Sequence, residues 1–142
     1  MHNTNFILYI CITKAKGFLI LTITKQVTKM KQLIDRVWEY SQNNPEGFTL
    51  NLETFKPVKF GICVAYLETQ DSHDKESLEK VINHSILHQK ILGGWLNVEN
   101  QKFYFDSIRI FKNSDLDKAI EFAKRQKQIA IFDLTNLKEI KI

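Results

Sequence analysis

The chain has 142 residues, of which 44% are hydrophobic and 25% are charged, and its formal net charge is +4. This composition is that of an ordinary globular domain and excludes a disordered chain. The two cysteines, Cys11 and Cys63, stand far apart in apolar runs, which excludes a disulfide framework and the spacing of a zinc site. We therefore expect a reducing compartment, the cytoplasm, and since no metal or nucleotide signature occurs in the sequence, we expect no cofactor.

The excess positive charge lies at the N-terminal end of the chain. Residues 1–29 contain four lysines and no acidic residue, whereas the other 16 Lys and Arg residues balance all 16 Asp and Glu residues. A neutral domain attracts phosphate only weakly, so we do not expect nucleic acid as a partner. The charge divides the chain into a basic leader, residues 1–29, and a single domain, residues 30–142.

The leader contains two apolar runs, residues 6–12 and 17–23, separated by Lys14 and Lys16. Each run is much shorter than the roughly 20 residues that cross a bilayer, and no positive charge precedes the first run, as it would in a secretory signal. Three interpretations remain: an added β-hairpin, a weak membrane-surface segment, or translated upstream sequence before a true start at Met30. We favour the third, because a predicted helix opens at Met30 and acidic residues occur only after it.

The first half of the domain predicts one helix and two strands. Residues 31–43 place their apolar side chains on one helical face, and the turn around Pro45 and Gly47 ends that helix. Residues 48–52 alternate between apolar and polar, as in a half-buried strand. Residues 61–69 are rich in apolar side chains and predict a second strand.

A second helix and a hairpin follow. Acidic residues around Asp74 open a helix that we expect to run to about residue 90, where Gly93 and Gly94 form the turn that ends it. Residues 95–98 and 102–111 then predict two hairpin strands.

The second hairpin strand contains a break in its alternation. Phe103 and Phe105 share one face, whereas Ile108 and Ile110 share the other. Because successive side chains of a strand point to opposite faces, we predict a β-bulge at Asp106-Ser107 that turns all four apolar residues inward.

The last part of the chain predicts a helix over residues 116–127, capped by Ser114, and strands over residues 128–134 and 137–142. The elements follow the order α-β-β-α-β-β-α-β-β. The predicted fold class is therefore α+β, a mostly antiparallel sheet of about six strands with three helices.

Several segments together resemble a known type of domain. They are Gly47-Phe48-Thr49-Leu50, Val64-Ala65-Tyr66, Gly93-Gly94-Trp95, Lys102-Phe103-Tyr104-Phe105-Asp106-Ser107, and the helix and strand of residues 116–134. Residues 47–142 thus resemble a small uncharacterised domain found in proteins of bacteriophages and bacterial mobile elements. The resemblance implies that biological setting and no catalytic residue.

Two histidines and one cysteine are candidates for metal binding or catalysis. His84 and His88 lie four residues apart on a predicted helix, where both rings could meet one metal ion, but Ser85 stands where a metalloprotease has its glutamate. We expect both rings to be boundary residues rather than metal ligands. Cys63 lies in an apolar strand, where a free cysteine usually packs as a small hydrophobe rather than acting as a nucleophile.

Acidic side chains at strand ends are the candidates for acid–base chemistry. Asp106 and Asp133 could form a pair of carboxylates if the sheet brings their strands together, and Tyr104 and His73 could join Asp106 in a cleft. An Asp at a bulge or a strand end also commonly bonds free backbone N–H groups.

The candidate binding residues are aromatic or acidic. Trp95 and Tyr104 would lie near each other on the hairpin, although aromatic residues there are more often part of the core. Glu68 and Asp71, in the loop that also contains His73, are the surface candidates for a partner contact.

These observations support a leading hypothesis and two alternatives. The leading one is a non-enzymatic protein-interaction module of a phage or mobile element that binds a host or phage protein. The first alternative is a small hydrolase or transferase with its site near Tyr104 and Asp106. The second is a domain tethered to a membrane surface through residues 1–29, although we do not expect a membrane to be the main partner.

Overall fold

The computed structural model describes the backbone of residues 3–142 and the side chains of residues 16–142. The chain divides into two compact units, Met1–Arg36 and Val37–Ile142. Helix α1 comprises Asn3–Asn43 and is 41 residues long. Its last turns, residues 37–43, belong to the second unit.

The N-terminal helix corrects two predictions. A helix does not begin at Met30, and no β-hairpin occupies the described residues before it, because helical backbone extends back to Asn3. Residues 3–30 contain no proline and a single glycine, so no strong helix breaker ends the helix at Met30. The side chains of the apolar run 6–12, which includes Cys11, lie outside the described residues.

Within the described residues, the second unit is built on a seven-stranded antiparallel sheet of order β2-β1-β4-β5-β3-β6-β7. The strands are β1 (Phe48–Asn51), β2 (Lys56–Pro57), β3 (Ile62–Ala65), β4 (Ile91–Asn97), β5 (Lys102–Phe111), β6 (Ala130–Asp133) and β7 (Lys138–Lys141). The other two helices are α2 (Lys75–Ile86) and α3 (Leu116–Arg125). The α+β class with three helices is confirmed, and the estimate of about six strands is close.

Helices cover one face of the sheet, which we call the helix-covered face. The Phe105 ring lies 6.0 Å from Trp38 of α1, and Phe111 lies 5.6 Å from Phe122 of α3. Helix α2 contributes three fully buried apolar side chains to the core: Leu78, Val81 and Ile82. Its first turn is held by a capping box in which Asp74 accepts from the Ser77 backbone N–H.

The predicted β-bulge at Asp106-Ser107 is wrong. Strands β4 and β5 pair without interruption from Ile91 opposite Ile108 to Asn97 opposite Lys102. Phe105 therefore lies on the helix-covered face, whereas Ile108 lies on the opposite face in a second apolar cluster with Cys63 and Ile91. Apolar residues occupy both faces of β5 because both faces of the sheet bury side chains there.

The two adjacent glycines lie inside β4 and do not form a helix-ending turn. Gly93 pairs with Asp106 and Gly94 with Phe105. A Cβ atom on Gly94 would lie only 2.5 Å from the Phe48 ring and 2.7 Å from the Phe103 ring. The missing side chain makes room for these rings, which is a tertiary requirement that the local turn preference of glycine does not reveal.

Candidate functional site

The face of the sheet opposite the helices gathers most of the predicted site residues. On this opposite face Trp95 pairs with Tyr104 across β4 and β5. An isolated bridge between Ser72 and Phe105 places the flanking Asp71 and His73 on the same side as Asp106 and Tyr104. We call the group of Trp95, Tyr104, Asp106, Asp71 and His73 the open-face patch.

Direct contacts order the aromatic part of the open-face patch. The Trp95 indole Nε1 donates a 2.9 Å hydrogen bond to Asp106 Oδ2, and its ring stacks on Tyr104 at 5.1 Å. Asn100 Nδ2 donates to the Tyr104 hydroxyl at 2.8 Å, and the His73 ring meets Tyr104 edge-on at 5.5 Å. Trp95 is nevertheless 45% exposed. The Trp95 side chain is therefore held in one position while nearly half of its surface stays exposed to solvent.

Asp106 is the titratable group that the open-face patch perturbs most. Burial raises the pKa of its carboxyl from 3.8 to about 6; the Trp95 hydrogen bond opposes this shift and the charge of Asp71 adds to it. The carboxyl is therefore poised to take up and release a proton near neutral pH. Its observed partner is the Trp95 side chain, which differs from the backbone N–H groups expected at a bulge.

The two candidate metal ligands lie elsewhere: His84 is on α2 at the helix-covered face, whereas His88, which was expected on the same helix, lies in the turn just after α2 ends at Ile86. His84 Nδ1 lies 2.8 Å from Ser107 Oγ, while its Nε2 lies 3.0 Å from Glu68 Oε2 without the alignment of a hydrogen bond. The rings of His84 and His88 stack at 4.0 Å. Among the described residues, no group of three or more His, Cys, Asp or Glu side chains is placed to hold a metal ion.

Ser107, His84 and Glu68 form a chain of contacts that the sequence did not reveal. The order of serine, imidazole and carboxylate is that of a hydrolase triad, but Ser107 is fully buried, so a substrate cannot reach its Oγ. The Ser107 backbone N–H also donates to Thr69 Oγ1 at 3.0 Å. This chain joins β5, α2 and the turn of residues 67–69, which makes it a structural link. One feature of the sequence indicates the burial of Ser107: it stands two residues after Phe105 and therefore lies on the same face of the strand.

Burial also decides the role of His84 and of Cys63. Burial is the main cause that lowers the pKa of His84, and the charge of the nearby His88 is the second; both favour the neutral ring. Burial raises the pKa of Cys63 to about 11, so its thiol stays protonated and is a poor nucleophile.

The structure does not pair Asp133 with Asp106. Asp133 lies opposite Ile62 on the helix-covered side of the sheet, whereas Asp106 lies on the opposite face. Asp133 accepts hydrogen bonds from Asn136 and Asn113, and these lower its pKa, the Asn136 bond most. Its role is to hold the turn after β6, which is the strand-end role expected of such a residue.

The described cavities lie away from the open-face patch. One of about 260 Å³ lies between the end of α1 and the β4–β5 hairpin, lined by Trp38, Ser41, Gln42, Pro45, Leu96, Phe103 and Phe105. A second of about 370 Å³ is lined by Phe60, Gly61, Ile110, Phe111, Lys112 and Asn113. Tyr104, Asp106 and His73 are thus brought together, but they line neither cavity.

Comparison with known proteins adds no homologue to this description. No family model, no curated protein and no solved structure matches the chain significantly. The resemblance to a phage and mobile-element domain therefore stays a prediction. In the part of the chain that the structure describes, no helix is both long and apolar enough to cross a membrane.

Proposed function

We propose that this protein is a non-enzymatic protein-interaction module whose binding surface is the open-face patch. The observation that carries the proposal is Trp95, which is 45% exposed and yet held by the Tyr104 stack and the Asp106 carboxylate. Trp and Tyr are enriched among the residues that dominate protein–protein binding. A side chain that is already ordered loses little conformational entropy when a partner covers it.

The surroundings of Trp95 favour a protein as the ligand. The exposed indole ring and the half-buried phenol ring offer apolar area, and the carboxylate of the exposed Asp71 offers acceptors for the N–H groups of a partner. We place this partner, a host or phage protein, in the bacterial cytoplasm. The support for that setting is the resemblance to mobile-element domains and the balanced charge of residues 30–142.

Affinity capture from bacterial lysate tests the proposal with three forms of the full chain. We expect the native chain and Leu87→Ala to retain the same protein and Trp95→Ala to lose it. Leu87 is 82% exposed at the end of α2 and serves as the control for loss of an exposed apolar side chain. Capture of the same protein by all three forms would contradict a binding surface at Trp95.

The second candidate function is a small hydrolase or transferase. The observation in its favour is that Asp106, with its pKa raised to about 6, shares the open-face patch with Tyr104 and His73. A substrate screen would then find turnover that inflects near pH 6 and is lost in Asp106→Asn but kept in Asp133→Asn. Turnover that survives Asp106→Asn would exclude this site.

A further inference from the structure

Helix α1 exposes an unusual amount of apolar surface within the first unit. Six large side chains of one segment are more than half exposed, and they are Phe18 (72%), Leu19 (62%), Ile20 (64%), Leu21 (63%), Ile23 (53%) and Val27 (63%). With 3.6 residues per turn, these positions point in all directions around the helix axis. A helix that is apolar all round is stable in contact with protein or lipid rather than with water.

Three threonine hydroxyls in and next to the same segment are satisfied within the helix. The hydroxyls of Thr22, Thr24 and Thr28 donate to the carbonyls of Phe18, Ile20 and Thr24, at 3.0, 2.9 and 2.9 Å. A hydroxyl bonded to its own helix needs no water. This removes much of the free-energy penalty for moving the segment into an apolar medium.

The charges within and beside the segment are all positive. Lys16, Lys25 and Lys29 are exposed, and residues 1–29 contain no Asp or Glu. Lysines that border an apolar helix are attracted to anionic lipid headgroups, such as those of the cytoplasmic leaflet. Their long stems let the ammonium groups stay at the headgroups while the helix lies deeper.

We propose that residues 17–27 insert into one leaflet of an anionic lipid layer, with Lys16, Lys25 and Lys29 at the phosphate level. The segment rises about 15 Å, half of the roughly 30 Å hydrocarbon core, so it is too short to cross the bilayer, and the lysines at both of its ends keep it parallel to the surface, just below the headgroups. Pairing with a second copy would require one apolar stripe along the helix. Leu19, Ile23 and Val27 form such a stripe, but a second copy would bring the lysines of both copies together, whereas an anionic lipid layer attracts them.

Vesicle flotation of the full chain tests the insertion. Phe18 and Phe60 are both 72% exposed, so Phe18→Asp and Phe60→Asp remove the same side chain at the same exposure inside and outside the segment. On vesicles of phosphatidylcholine and phosphatidylglycerol, we expect Phe18→Asp to lower partitioning at least about tenfold and Phe60→Asp to leave it unchanged. Equal behaviour of the two variants, or no flotation of the native chain, would overturn the proposal.

The charge contribution is tested with Lys25→Gln and Lys29→Gln. Each change should lower partitioning onto the anionic vesicles about fivefold and have little effect on vesicles of phosphatidylcholine alone. A response that is the same on both lipids would overturn the assignment to anionic lipid. Sedimentation without lipid gives a further check, because self-association that Phe18→Asp abolishes would show that the segment binds a second copy instead.

Discussion

The two faces of the sheet are both apolar, yet they differ in what lies over them. On the helix-covered face, Phe105 is 1% exposed and Leu92 is fully buried beneath helices. On the opposite face, Ile108 is 7% exposed, whereas Trp95 keeps 45% of its surface free. The comparison teaches that strand parity identifies a face but not its role: one face supplies most of the stability, and the other holds the exposed aromatic group.

The largest expected effect is the loss of Phe105. Phe105→Ala should lower the free energy of unfolding by about 3–5 kcal/mol, because it leaves a cavity in a closely packed core. Trp95→Ala should lower it by only about 1 kcal/mol, since an aromatic pair and one hydrogen bond are lost at a half-exposed site. Urea denaturation measures both. Equal losses would remove the distinction between the faces.

Asp106 makes the opposite face sensitive to pH. Its pKa is raised from 3.8 to about 6 in the folded protein, so the stability it contributes is present below pH 3.8 and lost as the pH rises through 6. Asp106→Asn should remove this loss and, relative to the native chain, raise the free energy of unfolding at pH 7 by about 3 kcal/mol. The check is urea denaturation at several pH values; a constant difference between the two proteins would contradict it.

The two adjacent glycines of β4 allow the two faces to be compared by a smaller change, the addition of one methyl group. A Cβ on Gly94 would meet the Phe48 ring at 2.5 Å, whereas one on Gly93 would meet Ile108 at 3.0 Å. Gly94→Ala should therefore lower the free energy of unfolding by about 1–3 kcal/mol and Gly93→Ala by less. Thermal denaturation ranks the two variants, and the reverse order would show that the rings can move aside.

The smallest effect is expected at Ser107. Ser107→Ala leaves Nδ1 of the part-buried His84 without its partner, which should lower the free energy of unfolding by about 1 kcal/mol. The lowered pKa of His84 means that its contribution is present above pH 6.5 and is lost as the pH falls, opposite in sign to that of Asp106. Following the His84 ring by NMR through a pH titration checks this direction, and a raised pKa would contradict it.

Much of the fold could be predicted from local patterns. The apolar stripes and the charged turns at helix ends located α2 and α3, and two apolar runs around a short turn located the β4–β5 hairpin, although β4 begins earlier than expected, at Ile91. The helix start at Met30 was wrong, because it rested on the apolar face of residues 31–43, and a helix can continue beyond the residues that form such a face. The bulge predicted at Asp106 is wrong because both faces of β5 bury apolar side chains, whereas the prediction assumed that only one face is buried.

The candidate site was predictable as residue types but not as an arrangement. Trp95 and Tyr104 were expected to be close because a short hairpin joins their strands. The approach of Asp71 and His73 to Asp106 depends on the bridge between Ser72 and Phe105, which connects residues distant in sequence. The contact of Ser107 with His84 joins a strand and a helix in the same way.

The amino-acid sequence by itself determined the local elements, the α+β class and the concentration of positive charge in residues 1–29, because periodicity and composition act over short stretches of chain. Tertiary structure decided which face of each strand the helices cover, why strand β4 needs glycine at positions 93 and 94, and which carboxyl group is buried beside an indole. These features depend on pairings between distant strands, and their energies exist only after the chain has folded.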